Sequence, residues 1–506
     1  MHGYLTFDVG TTAVKSCLFD DDLRLLSIAN EEYTLDTDAG GRVELDPERY
    51  WQAVCGGAAE ALRRAQLPPS AVSAICITTQ GETLIPIGKD GRALRKAIVW
   101  LDERAKKQAD TLSARFSSAE FYHETGLPEL NGFLPLAKLM WIRENEPEIY
   151  RQTEKFLLLE DYLLYRLTGQ FAAEKTLASS TGWFSLQTDG YWKEGLAAAG
   201  IPQEKLPELF EPGTALSAKL LPDVREKLGF RADTCVATGA MDQTAGALGA
   251  GNLRPGCVTE TTGTALCIGA ALEKADLDDP NRVTVYRHVK PGLFLMLPFC
   301  MTAGLFLKWF KDTFCEAECR QAEQEHRSVY ELLDELAEQT PPGAGGLLAL
   351  PYLTGSIQPC SNPNARGVFF GIGLDTKKQH FLRAVYESIA FMLRENLELL
   401  TRVNHMPVTQ IRSLGGGAKS AVWRQIKADI LGAEIRPTLA DEAGALGSAI
   451  LGLAAATGEK DRTALAARFV RYGQTAMPDA QRHAYYEKQF ALYKELREFE
   501  IRHARG

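Results

Sequence analysis

Four short segments rich in glycine and threonine have the composition of phosphate-holding turns: Gly10-Thr11-Thr12, Thr261-Thr262-Gly263-Thr264, Ala303-Gly304 and Gly415-Gly416-Gly417. Each follows an apolar run of strand character. Glycine lets the backbone approach a ligand closely, threonine adds a hydroxyl, and unpaired backbone N–H groups in such turns attract anions. One such turn serves an ordinary hairpin equally well; four of them point to several backbone approaches to one nucleotide. Two carboxylates accompany them. Asp8 ends the first apolar run, just before Gly10, where a carboxylate can organise the Mg²⁺ of a nucleotide. Asp242 sits in GAMDQTAGALGAG, among small residues. An ionised carboxylate there is costly without a partner or a purpose, and small neighbours leave room for a ligand. Asp242 reads as a general base and equally as the residue opening a helix at Gln243, whose dipole would favour its ionised form.

A third cluster lies in TTQGETLIP (Thr78–Pro86) and WLDERA (Trp100–Ala105). Gln80, Glu82, Thr83, Asp102 and Arg104 with the Trp100 face suit a small polyhydroxylated ligand, which needs amides and carboxylates for its hydroxyls and an aromatic surface for its carbons. The alternative is a strand end followed by a helix start, with Asp102 and Arg104 in water.

Other chemistries lack their motifs. There is no Gly-x-x-x-x-Gly-Lys-Ser/Thr loop, no Gly-x-Gly-x-x-Gly after the first strand and no Gly-x-Ser-x-Gly elbow. The eight His show no metal-ligand spacing. A formal charge of −9 without a basic stripe argues against a nucleic-acid partner. No apolar run reaches the roughly 20 residues that span a bilayer, and the N-terminus shows no secretory pattern. The ten Cys are scattered without a Cys-x-x-Cys pair, as expected of reduced thiols in a cytoplasmic protein; Cys315 and Cys319 stand four apart on an expected helix.

Positioning these residues requires alternating strands and helices. Apolar alternation predicts a hairpin over Tyr4–Asp20 and a strand near Leu25–Tyr33. A helix is expected from Pro47 to Ala65, with Asp46 as its N-cap. Strands follow at Ala71–Thr79, Leu84–Ile87 and Ala97–Trp100, and helices at Asp102–Ser113, Leu136–Asn145 and Asp161–Leu167. The second half repeats the pattern: a strand Thr234–Ala240 before Asp242, strands flanking the Thr261–Thr264 turn, a strand Phe294–Pro298 and a helix Leu305–Thr313. A long amphipathic helix Phe381–Leu400, a strand Ile411–Leu414, a helix Ala421–Leu431 and a polar tail helix Asp479–His503 complete it. A strand–turn–strand unit near the start of each half suggests two related domains, with a boundary in the small-residue run near Gly246–Asn252.

With these motifs placed, the chain resembles the FGGY carbohydrate kinases of the actin-like ATPase superfamily over roughly Tyr4 to Thr457. FLPLAKLMWIREN (Phe133–Asn145) resembles the first family signature and GVFFGIGLDTKKQHFLRAVYE (Gly367–Glu387) the second. GGGAKSAVWRQIKADILG (Gly415–Gly432) is similar to the adenosine-side loop. The resemblance implies an α/β fold of two actin-like (ribonuclease H-like) domains with a nucleotide cleft between them. It implies boundaries of 1–246 for the sugar and phosphate-turn domain, 247–458 for the adenosine-side domain, and 459–506 for a helical extension packed on the second domain. It further implies ATP-dependent phosphorylation of a sugar hydroxyl with Mg²⁺. By the resemblance, Asp8, acting through water, and Asp242 stand at the metal, and Asp242 is also the general base. Gly10, Thr11, Thr12, Lys15, Thr262, Gly263, Thr264, Gly304, Lys308, Gly415, Gly416, Gly417 and Ser420 would bind nucleotide. Gln80, Glu82, Trp100, Asp102, Arg104, Phe133 and Gln243 would form the sugar pocket. Dimers are common in the family, so a homodimer is the assembly the resemblance suggests.

The substrate pattern is mixed. The region around Phe133 resembles the xylulokinase branch, yet that branch carries Gln-Met-His-Gly where this chain has Gln80-Gly81-Glu82-Thr83. Glycerol kinases carry Gln-Arg-Glu-Thr there, and a tyrosine where this chain has Phe133. Gly355-Ser356-Ile357 replaces the usual Gly-Glu-Arg before the second signature. A carboxylate at Glu82 repels an anionic substrate, so a neutral ketose such as xylulose is expected, with glycerol or another short polyol as the alternative. A silent sugar- or nucleotide-binding regulator is the non-enzymatic reading.

Overall fold

The alternating apolar residues of the opening segment form the antiparallel hairpin Gly3–Val9 and Ala13–Phe19, with Asp8 opposite Lys15. The turn closes through Gly10 N–H to the Ala13 carbonyl at 2.9 Å. The computed structural model describes residues 2–405 and 407–504. Leu25–Glu32 extends the hairpin on one side, and Val72–Thr79 pairs in parallel with Gly3–Val9 on the other. Cys235–Met241 adds a further parallel strand, giving a five-stranded sheet. Its three parallel strands are almost wholly buried, as strands covered on both faces must be. Helix Pro47–Ala65 packs on the hairpin side and is capped by the Asp46 carboxylate, which accepts from Glu48 N–H at 3.0 Å.

A second hairpin, Cys257–Thr262 and Leu266–Leu272, repeats this arrangement. Its first strand pairs in parallel with Gln410–Leu414, which in turn pairs with Ile435–Pro437. Helices Lys378–Asn404 and Ala421–Leu431 pack together behind this sheet. The tail helix Ala480–His503 buries Tyr486, Phe490 and Tyr493, with Phe391 in the same aromatic cluster.

Contacts divide the chain into two units. The first comprises Met1–Leu253, Glu273–Leu295 and Glu442–Val470, and the second Arg254–Leu272, Met296–Asp441 and Arg471–Gly506. This division departs from the linear boundaries expected at 246 and 458. The reason is the helix Ala443–Thr457, which packs on Asp242–Gly249 and on the first sheet. Glycine permits that crossing: a Cβ on Gly249 would lie 1.9 Å from the Ala443 carbonyl oxygen, and one on Gly447 2.0 Å from that of Ala245. The expected extension 459–506 is therefore split, its helix Arg462–Phe469 lying in the first unit and its tail helix in the second. A further departure is the helix expected from Asp102, which starts at Lys106. The Asp102 carboxylate is captured by Val43 N–H and by Arg104, which keeps residues 102–105 in a turn.

No disulfide joins any of the ten cysteines, all of which lie among the described residues. Among the described residues no helix is long and apolar enough to cross a membrane.

Candidate active site

Three candidate residues of the first unit project from the carboxyl ends of its parallel strands, where open α/β sheets place their ligands. Asp8 is the penultimate residue of Gly3–Val9, Gln80 follows Val72–Thr79, and Asp242 follows Cys235–Met241 and opens the helix Asp242–Gly249. Register holds the ends level: Asp8 lies opposite Thr78, and Met241 opposite Thr79.

Both carboxyls have raised proton affinity. Burial pushes Asp8 up to about 6, against the pull of Lys15. Burial pushes Asp242 up to about 7, with the charges of Asp8 and Glu82 adding to it. The Gln243 backbone N–H, 2.6 Å from Asp242 Oδ1, works the other way. Lys15 is held by both oxygens of Glu442, at 2.9 and 2.8 Å, a partner 427 positions away that sequence reading did not supply.

The residues expected to line a sugar pocket have different surroundings. Trp100 donates from its indole N–H to the Thr11 hydroxyl at 3.0 Å, joining the aromatic face to the first turn. The Gln80 side chain is buried and donates to Thr83. Glu82 adopts a left-handed φ of 56°, and burial raises its carboxyl against the opposing Ser180 hydroxyl and Lys138 charge. Phe133 is half-buried and Gln243 exposed. Asp102 and Arg104 depart from the pocket reading. Asp102 is fully buried and accepts from Val43 N–H at 2.6 Å and from the Arg104 guanidinium at 2.6 and 2.8 Å. Arg104 also reaches Glu44 at 2.6 Å and lies over the Trp141 ring. They thus pair with each other, and Arg104 with Glu44, while Arg104 Nη1 is buried with no hydrogen-bond partner among the described residues.

Two residues here escaped sequence reading. Lys138 is fully buried and donates to the carbonyls of Val99 at 3.0 Å and of Glu82 and Trp100 at 3.4 Å each. Burial lowers its pKa to about 7, although Glu82 and Asp102 pull it up. Tyr286 lies within reach of the Glu82 and Asp242 charges, which add to burial in raising its phenol.

In the second unit a cavity of about 540 Å³ gathers the other turns. Thr262, Gly263, Thr264, Gly304, Lys308, Gly416, Gly417 and Ser420 line it, joined by Tyr330, Asp334, Tyr386 and Trp423. Close backbone approach builds one end. Gly304 N–H donates to the Gly263 carbonyl at 2.8 Å and Leu305 N–H to that of Thr264 at 3.1 Å; a Cβ on Gly304 would lie 2.4 Å from the Gly263 oxygen. At the other end Asp334 accepts from Ser420 and Tyr386, both at 2.8 Å. Ser420 caps the helix Ala421–Leu431 by accepting from Trp423 N–H. The Trp423 indole N–H in turn donates to the Tyr386 carbonyl at 3.1 Å. The flat aromatic walls suit a nucleobase, and the glycine-threonine turns suit phosphates. Gly415 precedes the lining residues with a φ of 74° that glycine adopts freely. Lys308 is exposed and pairs with Asp312.

The first unit thus presents a buried strand-end carboxyl, and the second a pocket with aromatic walls and glycine-threonine turns. Models of the FGGY family of carbohydrate kinases match residues 3–249 (N-terminal domain) and 259–456 (C-terminal domain). The chain belongs to this family and is an ATP-dependent carbohydrate kinase with its two-domain α/β fold, the actin-like architecture expected from sequence. It is 31% identical over 457 residues to a gluconokinase of Bacillus licheniformis, covering 90% of this chain and 88% of that one. It is 30% identical over 489 residues to a xylulose kinase of Bacillus subtilis, covering 97% and 95%. The crystal structure of a gluconate kinase from Lactobacillus acidophilus superposes with a TM-score of 0.88 at 26% identity, covering 99% of each chain.

Proposed function

We propose that this kinase transfers the γ-phosphoryl group of ATP to a hydroxyl of a small neutral ketose, xylulose first, with Asp242 as general base. The observation that carries this reading is Asp242 itself: a carboxyl at a strand end and helix start, with an affinity for protons raised to about 7. A base with a pKa near the working pH combines availability with driving force. Asp242 takes the hydroxyl proton as the sugar oxygen bonds to the γ-phosphorus, the bond to the β-phosphate oxygen breaks, and ADP leaves; the proton then passes to water. The Gly10–Thr12, Thr262–Thr264 and Gly416–Gly417 segments hold phosphates in this reading, and Ser420 and Trp423 stand at the base. The first unit has a donor set that fits Mg²⁺. Asp8 and Asp242 are two buried carboxyls, the charge of the first raising the proton affinity of the second, and Mg²⁺ is held by one or two carboxylates plus water and phosphate rather than by a full protein cage. When bound, the ion neutralises charge developing on the phosphates. A cytoplasmic setting belongs to this reading, supported by ten cysteines that form no disulfide.

Charge supports a neutral substrate. Glu82, Asp242 and Asp8 are acidic, whereas Arg104 is engaged with Asp102 and Glu44, Lys15 with Glu442, and Lys138 with three carbonyls. A sugar acid would meet repulsion there. The gluconokinase relative favours that second reading all the same, and glycerol is the polyol alternative.

An ADP-release assay with xylulose, gluconate and glycerol decides among them; turnover of gluconate above xylulose would overturn the neutral-ketose assignment. In the same assay Asp242→Asn is expected to lower kcat by about 10²–10⁴-fold while ATP still binds.

A further inference from the structure

Behind the phosphate-turn end of the second-unit cavity lies a fully buried ion pair. Lys427, on the helix Ala421–Leu431, meets Glu260, on the strand Cys257–Thr262, at 2.8 Å, with neither side chain exposed. Lys427 also donates to the Thr262 hydroxyl at 2.8 Å, and that hydroxyl donates to the second oxygen of Glu260 at 2.7 Å. The Ser413 hydroxyl donates to Glu260 from the neighbouring strand Gln410–Leu414. Burying two full charges costs several kcal/mol of desolvation, and a well-packed apolar pair of similar volume is often as stable or more so. A stability role alone is therefore a weak account of this pair.

Its position supplies another. Thr262 is the residue on which the ammonium, the carboxylate and the cavity meet. Its hydroxyl faces the pair, while its Cβ is pressed by the triple-glycine loop, so that a Cβ added to Gly417 would come within 2.7 Å of it. The next residue, Gly263, offers the carbonyl on which Gly304 N–H docks. Thr262 thus joins both glycine segments that line the phosphate-turn end, and a threonine hydroxyl held by two charged partners has little rotational freedom left.

We infer that Lys427 and Glu260 are positioning residues for phosphate binding: they lock Thr262, and through it set the Gly263–Thr264 turn and the Gly416–Gly417 loop for the polyphosphate of the nucleotide. The inference rests on the reading of this cavity as the nucleotide site. The base end has further supports of its own: Trp423 is fixed through Ser420 and the Tyr386 carbonyl, with the Lys427 ammonium also over its ring, 5.0 Å from the centroid. Loss of the lock therefore weakens ATP much more than adenosine, whose base end keeps the Ser420 and Tyr386 supports of Trp423.

The test uses the full chain. Lys427→Met with Glu260→Gln removes both charges together and avoids stranding one in the interior. This double variant is expected to keep a thermal midpoint near that of the wild type. Its Mg-ATP dissociation constant is expected to rise about tenfold or more, the scale of a lost hydrogen bond to a charged group. Its sugar KM stays within about twofold, and its adenosine affinity falls severalfold less than its Mg-ATP affinity. A second pair, Lys427→Gln with Glu260→Gln, keeps neutral hydrogen-bonding groups around Thr262 and is expected to bind Mg-ATP with intermediate affinity. Wild-type affinity for Mg-ATP in both pairs overturns the inference. Equal weakening of ATP and adenosine also overturns it, since the pair would then support the whole cavity and not its phosphate end. A wild-type protein that binds neither nucleotide removes the reading of the cavity, and the inference with it.

Discussion

Each unit buries one lysine next to its candidate site, and the two are satisfied in opposite ways. Lys427 has a carboxylate and a hydroxyl at 2.8 Å, in a closed network of side chains. Lys138 has three main-chain carbonyls, at 3.0 to 3.4 Å, and its nearest carboxylates act only at a distance. Both are fully buried. The contrast shows what a buried ammonium does with each kind of partner. Paired with a counter-charge, it fixes a side chain, here Thr262. Given only carbonyls, it fixes main chain, here the Glu82 and Trp100 segments, and its charge is poorly compensated. Burial brings the pKa of Lys138 down to about 7.

The largest expected effect breaks the Lys427 side of this comparison. Lys427→Met alone strands the Glu260 carboxylate in the interior and is expected to cost about 3–5 kcal/mol in urea unfolding. Lys138→Met strands no charge and leaves carbonyls short of a donor, for an expected loss of about 1–3 kcal/mol. Because it loosens Glu82 and Trp100, it should also raise the sugar KM while the affinity for ATP stays put; an unchanged sugar KM would show that these carbonyls need no clamp. The smallest effect is a slope. The folded protein releases the Lys138 proton near pH 7 and the unfolded chain near 10.5, so the folded state gains stability between those values and gains none below pH 7. The stability of the wild type relative to Lys138→Met is therefore expected to grow as pH rises from 7 to 9, by at most about 1.4 kcal/mol per pH unit. Glu82 and Asp102 favour the charged form and Arg104 opposes it, so Glu82→Gln should move the onset of this slope to lower pH. A flat difference across that range would show that Lys138 does not titrate there.

Local pattern carried the fold a long way. Alternating apolar residues located both hairpins, and small residues around Asp242 marked a strand end that opens a helix. The four glycine-threonine turns were legible because each needs only its own few residues. What stayed hidden depends on partners remote in the chain. Nothing near Lys15 in the chain announces its pairing with Glu442, and Glu260 and Lys427 are 167 positions apart. Asp102 and Arg104 are the converse case. Their polar types suggested a sugar pocket, whereas the nearby Val43 N–H and Glu44 take them up. Lys138 sits inside a stretch that reads as a helix with buried faces, and nothing in its spacing distinguishes it from a solvated lysine.

The helix Ala443–Thr457 crosses Asp242–Gly249 at a glycine-to-glycine contact and seals the sheet that carries Asp8 and Asp242. Its place in the chain has a consequence for biosynthesis. The first unit lacks that cover until nearly the whole protein has left the ribosome, so the strand ends bearing both carboxyls wait, unfinished, while the second unit is being made. A fragment ending at residue 246 therefore exposes an apolar sheet face in place of a working half-enzyme.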